Sequence, residues 1–249
     1  MKVLKIVNDS IPEAEAIAAR LESHGLLESD HVIYRGRNIV ALTEGSEPLC
    51  IKSFGVPGAV KGIIYGTMRR PKAMRAFENA TRLRELGFDT PEPVAAVCRL
   101  SAGRLGRSYY VCRYLEGWSD LRSAEKRPDF ANLARSLAAY MNRLHAAGVF
   151  MKDFTQGNIL FRPDGTGDFQ FSLIDINRME FDVRDHRKLM ANFGAVLDTA
   201  EGLAVLAHEY AALQPESEAT EREALDIYRR RQARLWHKRH IKEFIRGKK

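Results

Sequence analysis

The sequence has no apolar run near the roughly 20 residues that a membrane-spanning helix needs, no internal repeat and no low-complexity segment. Its N-terminus, MKVLKIVNDSIPE, carries a Lys but no adequate apolar h-region, so no signal peptide is expected. Cysteine is scarce. Cys50, Cys98 and Cys112 are odd in number, lack CxxC spacing and sit in apolar stretches, which excludes a disulfide framework or thiolate metal site and points to reduced core thiols. These absences describe a cytosolic chain. With 249 residues it is long enough for one large domain or one domain of two lobes.

What is present is unevenly charged. The net charge is +7, and the segment from Arg229 to Lys249 holds ten Lys or Arg against one acid, Glu243, so the basic character belongs to the tail. Two readings stand: a solvated helix end, or a surface that meets anionic lipid or a phosphorylated substrate. Leu225, Tyr228, Leu235 and Trp236 share one face of an ideal helix and are expected to pack on the protein. Ile241, Phe244 and Ile245 fall on nearly the opposite side, which predicts a helix break near His240 or a second face turned to a membrane. Phe54 to Arg75 carries Lys61, Arg69, Arg70, Lys72 and Arg75 among glycines and aromatics, and reads as a basic linker or an anion-facing segment.

The elements change character near residue 100. KVLKIV, HVIYRG, NIVALT and PLCIKSF read as strands. IPEAEAIAARLESHG interrupts them as a helix, with Ser10 as a possible cap and Gly25 at its end. A second helix is predicted from Lys72 to Leu86, stopped by Gly87, followed by strands in TPEPVAAV and SYYVCRYL. After Gly117 the chain is mainly helical: about 130–147, 184–198, 199–213 and 219 to the end. A strand-rich small lobe, 1–116, joined to a helical larger lobe, 117–249, is the simplest arrangement, an α+β chain.

One short region departs from the helical pattern. MKDFTQGNILF places Asp153 and, five residues on, Asn158, before an apolar run; RPDGTGD offers turn residues; FQFSLIDIN ends a second apolar run on Asp175. The two runs read as a hairpin, and pairing them brings Asn158 toward Asp175, with Asp153 on the loop leading in. Two acids and an amide make an oxygen-only set that suits Mg²⁺, a hard cation that keeps waters and takes further ligands from substrate phosphates. One carboxylate can serve the metal while the other orients an attacking hydroxyl.

LHAAGVFMKDFTQGNIL resembles the catalytic loop of the protein-kinase-like fold, and LIDIN its metal-binding Asp segment. LCIKSF is similar to the strand that carries the phosphate-binding lysine, here Lys52. MRAFENATRLRELGFDTPEPVAA resembles the following helix and strand. More narrowly, YRGRNIVAL, RRPKAMRAFENATRLRELGFDTPEP and LIDINRMEF resemble the bacterial lipopolysaccharide core kinases that phosphorylate Kdo and heptose. The kinase-like resemblance covers roughly residues 30 to 200. It implies a two-lobe protein-kinase-like fold that uses ATP and Mg²⁺. Lys52 would hold the ATP phosphates with Glu78 fixing it, Glu85 being the alternative partner; Asp153 would be catalytic, and Asn158 and Asp175 would hold the metal.

The departures narrow this further. Met151 and Lys152 stand before Asp153 where such kinases commonly have His-Arg, and Met can fill that space apolarly. Asn177 replaces a Gly of the metal segment, as the residue next most tolerant of a left-handed backbone. YRGRNIV supplies one Gly where a glycine-rich loop is usual, so Arg35, Arg37 or backbone N–H groups would cover the phosphates. No Ala-Pro-Glu segment follows Asp175, which argues against a protein substrate. The expected activity is phosphorylation of a sugar hydroxyl on a lipopolysaccharide inner core or lipid A-linked sugar, at the cytoplasmic face of the inner membrane against its anionic surface. Alternatives are an aminoglycoside- or choline-type phosphotransferase and a pseudokinase scaffold. A nucleic-acid partner is not expected, because the tail's charge comes without any reading motif.

Overall fold

The computed structural model describes residues 2–246, and the side chains of all of these except residue 59 and residues 242–246. The chain divides into two compact units: Met1–Glu116 with Asp175–Arg178, and Gly117–Ile174 with Met179–Lys249. The four residues Asp175–Arg178 therefore belong with the first unit, although the sequence places them deep in the second.

The first unit contains β1 (Lys2–Val7), α1 (Ala14–Ser23), β2 (His31–Arg35), β3 (Asn38–Leu42), β4 (Leu49–Phe54), α2 (Ala59–Thr67), α3 (Lys72–Glu85), β5 (Pro93–Ser101) and β6 (Arg104–Arg113). The strands form one antiparallel sheet in the order β1-β5-β6-β4-β3-β2. Strand side chains alternate between faces. Leu49, Ile51, Val97, Tyr109 and Val111 thus pack with Ile17, Ala18 and Leu21 of α1 in one buried cluster, which leaves Cys50, Lys52, Tyr110 and Cys112 on the opposite face. Helix α3 buries Ala73, Met74, Ala76, Phe77, Ala80 and Leu83, a single stripe at helical spacing. It ends where Gly87 turns left-handed (φ 79°) and Phe88 N–H reaches back to Leu83 O at 3.0 Å.

Two local expectations differ. Ser10 does not cap α1: the Asn8 side chain accepts from Ser10 N–H at 3.2 Å and Oγ at 2.7 Å, and the helix starts later, with no side-chain cap at Glu13. The basic "linker" contains α2. Its glycines mask a helical signal because they serve as its contact face: a Cβ on Gly66 would lie 2.0 Å from Gly103 O, and one on Gly62 3.6 Å from Leu105 O. The absence of a side chain at Gly66 lets the helix backbone lie directly on the β5–β6 hairpin, with Gly62 facing it at ordinary contact distance.

The second unit contains β7 (Ser119–Asp120), α4 (Phe130–Ala146), β8 (Phe150–Met151), β9 (Ile159–Pro163), β10 (Phe169–Leu173), β11 (Met179–Glu180), α5 (His186–Met190), α6 (Ala200–Ala211) and α7 (Ser217–Arg246). Two small sheets, β10-β9-β7 and β11-β8, accompany the helices. Leu133, Leu137, Met141 and Leu144 give α4 a buried stripe, and Thr199 caps α6 by accepting from Gly202 N–H at 2.9 Å. The helix expected over 184–198 is broken: α5 tightens into a 3-10 turn, Ala191–Gly194, that turns Asn192 inward. Helix α7 runs without the break expected near His240. His240 Nδ1 donates to Trp236 O at 2.9 Å inside the helix, and its ring lies 3.8 Å from that of Trp236. Of the tail's apolar stripe, Tyr228 is buried whereas Trp236 is 56% exposed. The tail cations and apolar residues expected to meet a membrane, Lys242, Phe244, Ile245, Arg246, Lys248 and Lys249, lie outside the described side chains.

Gly66→Ala should force α2 off the hairpin and cost about 1–3 kcal/mol, the range for overpacking. Gly58→Ala, where nothing lies within 4 Å, should leave the thermal midpoint unchanged. Paired thermal melts check this, and equal midpoints for the two variants would contradict the close packing.

Candidate active site

Lys52 is central in β4, opposite Val40 of β3 and Tyr110 of β6. Its Nζ lies 2.5 Å from Asp175 Oδ1 and 5.6 Å from the centre of the Phe54 ring. Asp175 is one of three non-glycine residues with positive φ among the described residues, at 56°, a conformation that Asp tolerates better than most residues and that accumulates at functional sites. Two amides fix the segment. Asn177 Nδ2 donates to Asp175 Oδ1 at 2.6 Å, and Asn79 Nδ2, from α3, donates to Ile176 O at 2.7 Å. The left-handed position is thus Asp175 and not Asn177, as the glycine replacement had suggested. Asn177 is buried and used as a donor.

Glu78 is not the partner of Lys52. Arg70, just before α3, folds back along the helix and donates to Glu78 Oε1 through Nε at 2.8 Å and Nη2 at 2.5 Å. This charge-assisted bond raises the Arg70 guanidinium above its ordinary pKa. Glu85, the alternative, is exposed in the last turn of α3. Lys52 therefore has Asp175 as its carboxylate, a pairing that sequence spacing cannot show because 123 residues separate the two.

Cations gather beside Lys52 within this unit. A cavity of 410 Å³ is lined by Arg37, Phe54, Gly55, Lys61, Tyr65 and Lys72, among others. The β2–β3 turn closes over it so tightly that a Cβ on Gly55 would sit 2.6 Å from Arg37 O. The Lys72 ammonium titrates below its usual value, first because of burial and then because Arg37 lies near. Arg75 is likewise pushed down by burial and by Arg69, and its buried Nε has no partner among the described residues. An anion would relieve each of these.

In the second unit, β9 and β10 pair as expected, with Ile159 opposite Leu173. Asn158 O accepts from Ile174 N–H at 3.0 Å, which sets Asn158 beside the residue that precedes Asp175. The turn is organised by Asp164, whose Oδ1 accepts from Thr166 N–H at 2.8 Å and Asp168 N–H at 3.2 Å; these bonds hold its carboxyl below the usual range. Asn158 Nδ2 donates to Asp153 O at 2.9 Å. That bond ties the two ends of the catalytic-type loop together and leaves Asn158 Oδ1 as the amide's acceptor atom.

The base of this loop is held by residues the sequence reading did not single out. Met151, buried and paired with Met179, presents its carbonyl to Asn192 Nδ2 at 2.7 Å. Asn192 Oδ1 then faces His145 Nε2 at 3.2 Å, and His145 Nδ1 faces the Tyr210 hydroxyl at 2.8 Å. Since the Asn192 amide oxygen can only accept, Nε2 carries the proton and Nδ1 accepts from Tyr210. His145 is neutral in this arrangement, its pKa lowered to about 4 chiefly by burial. The only sequence signal was polarity itself, a His and an Asn inside apolar runs (YMNRLHAAGVF and LMANFG).

The fold matches a known class. WaaP in complex with acyl carrier protein has 20% identity and TM-score 0.57, with 92% of this chain and 100% of that chain covered. The Rio2 kinase–ADP/Mg²⁺–phosphoaspartate complex of Chaetomium thermophilum has 19% identity and TM-score 0.49 over 88% of this chain and 74% of that one. The fold is protein-kinase-like, an antiparallel-sheet unit and a helical unit. No curated protein matches the sequence. Residues 60–215 match the lipopolysaccharide kinase (Kdo/WaaP) family, and the chain belongs to it. It is therefore a phosphotransferase acting on a sugar hydroxyl, and family membership implies ATP use.

The buried imidazole makes stability pH-dependent. The unfolded His145 binds a proton near pH 6.5 and the folded one only near 4, so stability is complete above about 6.5 and falls as pH drops through that window, by about 3 kcal/mol in total. Urea unfolding at pH 7 and pH 4.5 should show a larger loss for the wild type than for His145→Gln; equal losses would rule out the neutral relay.

Proposed function

We propose that this chain transfers the γ-phosphoryl group of ATP, with Mg²⁺, to a Kdo or heptose hydroxyl of the lipopolysaccharide inner core. The observation that carries the reading is the Lys52–Asp175 pair at 2.5 Å, with Asp175 held left-handed by its own short segment. Phosphoryl transfer asks a protein mainly for positioning and charge neutralisation. In this reading Lys52 holds the ATP phosphates, and Arg37, Lys61 and Lys72 supply the positive lining that a glycine-rich loop supplies elsewhere. Asp153 accepts or orients the proton of the sugar hydroxyl.

The donor set fits Mg²⁺. Asn158 and Asp175 each offer hard oxygen atoms of the kind this cation takes. When bound, Mg²⁺ would neutralise phosphate charge. Glu78, engaged by Arg70, acts on α3 and only indirectly on Lys52. The family match favours this acceptor over an aminoglycoside- or choline-type substrate. Among the described residues no helix is long and apolar enough to cross a membrane, and we place the reaction at the cytoplasmic face of the inner membrane, with the protein bound peripherally.

Asp175→Asn keeps a residue that tolerates positive φ and removes the charge, so phosphoryl transfer should fall below detection while the protein stays folded, with a lowered thermal midpoint from the lost Lys52 ion pair. Asp153→Asn should retain ATP binding and lose about 10²-fold or more in turnover. Lys52→Met should reduce ATP use severely and Glu78→Gln less. Mass spectrometry of lipopolysaccharide cores from cells with and without the protein reads the acceptor directly. An unchanged phosphate count would remove the inner core as substrate.

A further inference from the structure

Helix α2 is amphipathic in the reverse of the usual sense. Its glycines, Gly62 and Gly66, face the β5–β6 hairpin at backbone-contact range, and its branched side chains face solvent. Val60 is 73% exposed, Ile63 50%, Ile64 40%, and Met68, just past the helix end, 86%. At helical spacing Val60, Ile63 and Ile64 fall on one side and the two glycines on the other. A soluble protein scatters single exposed aliphatics; a contiguous stripe marks an interaction surface.

The charge around the stripe selects the occupant. From Pro48 to Phe77 the sequence contains no Asp or Glu and six Lys or Arg. Arg69 and Arg70 follow the stripe directly, and Arg104 on the hairpin lies under Gly62. A second copy of this chain would bring these cations against themselves, and a neutral apolar groove would offer Arg69 and Arg104 no anion, Arg70 being held by Glu78. An anionic bilayer offers both an apolar interior at shallow depth and a plane of negative headgroups, the combination that interfacial helices with aliphatic and basic borders bind.

We propose that α2 is the membrane-docking element of this protein, with Val60, Ile63, Ile64 and Met68 entering the headgroup–acyl boundary of an anionic bilayer while Arg69 and Arg104 engage lipid phosphates; Arg70 stays with Glu78. This deepens the peripheral location proposed above and rests on it, since the acceptor sugar is attached to a lipid. It assigns docking to the sheet-bearing unit, which also carries Lys52 and Asp175, and not to the basic tail of α7.

Full-length protein would be sedimented with vesicles of phosphatidylglycerol and phosphatidylethanolamine, and with phosphatidylcholine vesicles as the neutral control. The wild type should bind the anionic vesicles, less at high salt, and the triple variant Val60→Ser, Ile63→Ser, Met68→Ser should bind about tenfold more weakly. Leu213→Ser, an exposed aliphatic of the other unit (49%), should bind as the wild type does. Phosphorylation of a deacylated, water-soluble core fragment should be the same for all three proteins. Undiminished vesicle binding by the triple variant overturns the proposal and moves docking to α7. A wild type that ignores anionic vesicles but captures an acidic protein through the same residues also overturns it. Absence of transfer to the soluble fragment by the wild type would instead count against the kinase reading and leave the docking result standing.

Discussion

The structure turns on four residues whose placement departs from their neighbours. The chain leaves the helical unit after Ile174, spends Asp175–Arg178 with the sheet-bearing unit, and returns at Met179. Such an excursion needs a tight reversal, and the left-handed backbone at Asp175 provides it. It also needs anchorage, which comes from the amide of Asn79 on the Ile176 carbonyl and from Lys52 on the Asp175 carboxylate. An Asp forced into positive φ is costly by itself. Its persistence here, bonded to the one lysine central in the sheet, makes it the feature around which α3 and β4 are arranged.

The helical unit meets a related requirement with uncharged groups. The loop that carries Asp153 is rooted on a two-residue strand, too short to hold itself. Asn192 bonds the Met151 carbonyl, and His145 and Tyr210 complete the chain of donors and acceptors. Every member is satisfied, which is the condition under which a buried polar network stiffens a core instead of weakening it. The broken helix over Ala191–Gly194 follows from this, because a regular helix would not deliver Asn192 inward at that point.

Much of this was legible in the sequence. The six strands of the sheet, the α3 boundaries and the β9–β10 hairpin follow from alternation, glycine punctuation and the Asp-Gly turn, all of which act locally. What was not legible depended on long-range pairing. Lys52 chooses Asp175 and Glu78 chooses Arg70 because of where the folded chain brings them, whereas helical spacing offered only Glu78, with Glu85 as the second choice on the same face. Helix α2 was missed because glycine lowers helix propensity, and the reason for Gly66 being there, close approach to Gly103, lies well beyond the helix in the sequence. The break expected near His240 failed for a simpler reason: alignment of apolar residues predicts burial, and α7 keeps its backbone helical whether or not those residues are buried.

The conformation of residue 175 also limits how this chain can change over generations. A side chain with ordinary φ preference would distort the turn, so drift at this position is channelled toward Asn and Gly, the residues that tolerate positive φ most readily. Both are reached from an Asp codon by a single base change. One point mutation can therefore remove the carboxylate and its Lys52 ion pair while keeping a residue that accepts the turn, so a lineage released from selection for the proposed phosphorylation would be expected to carry Asn or Gly at 175.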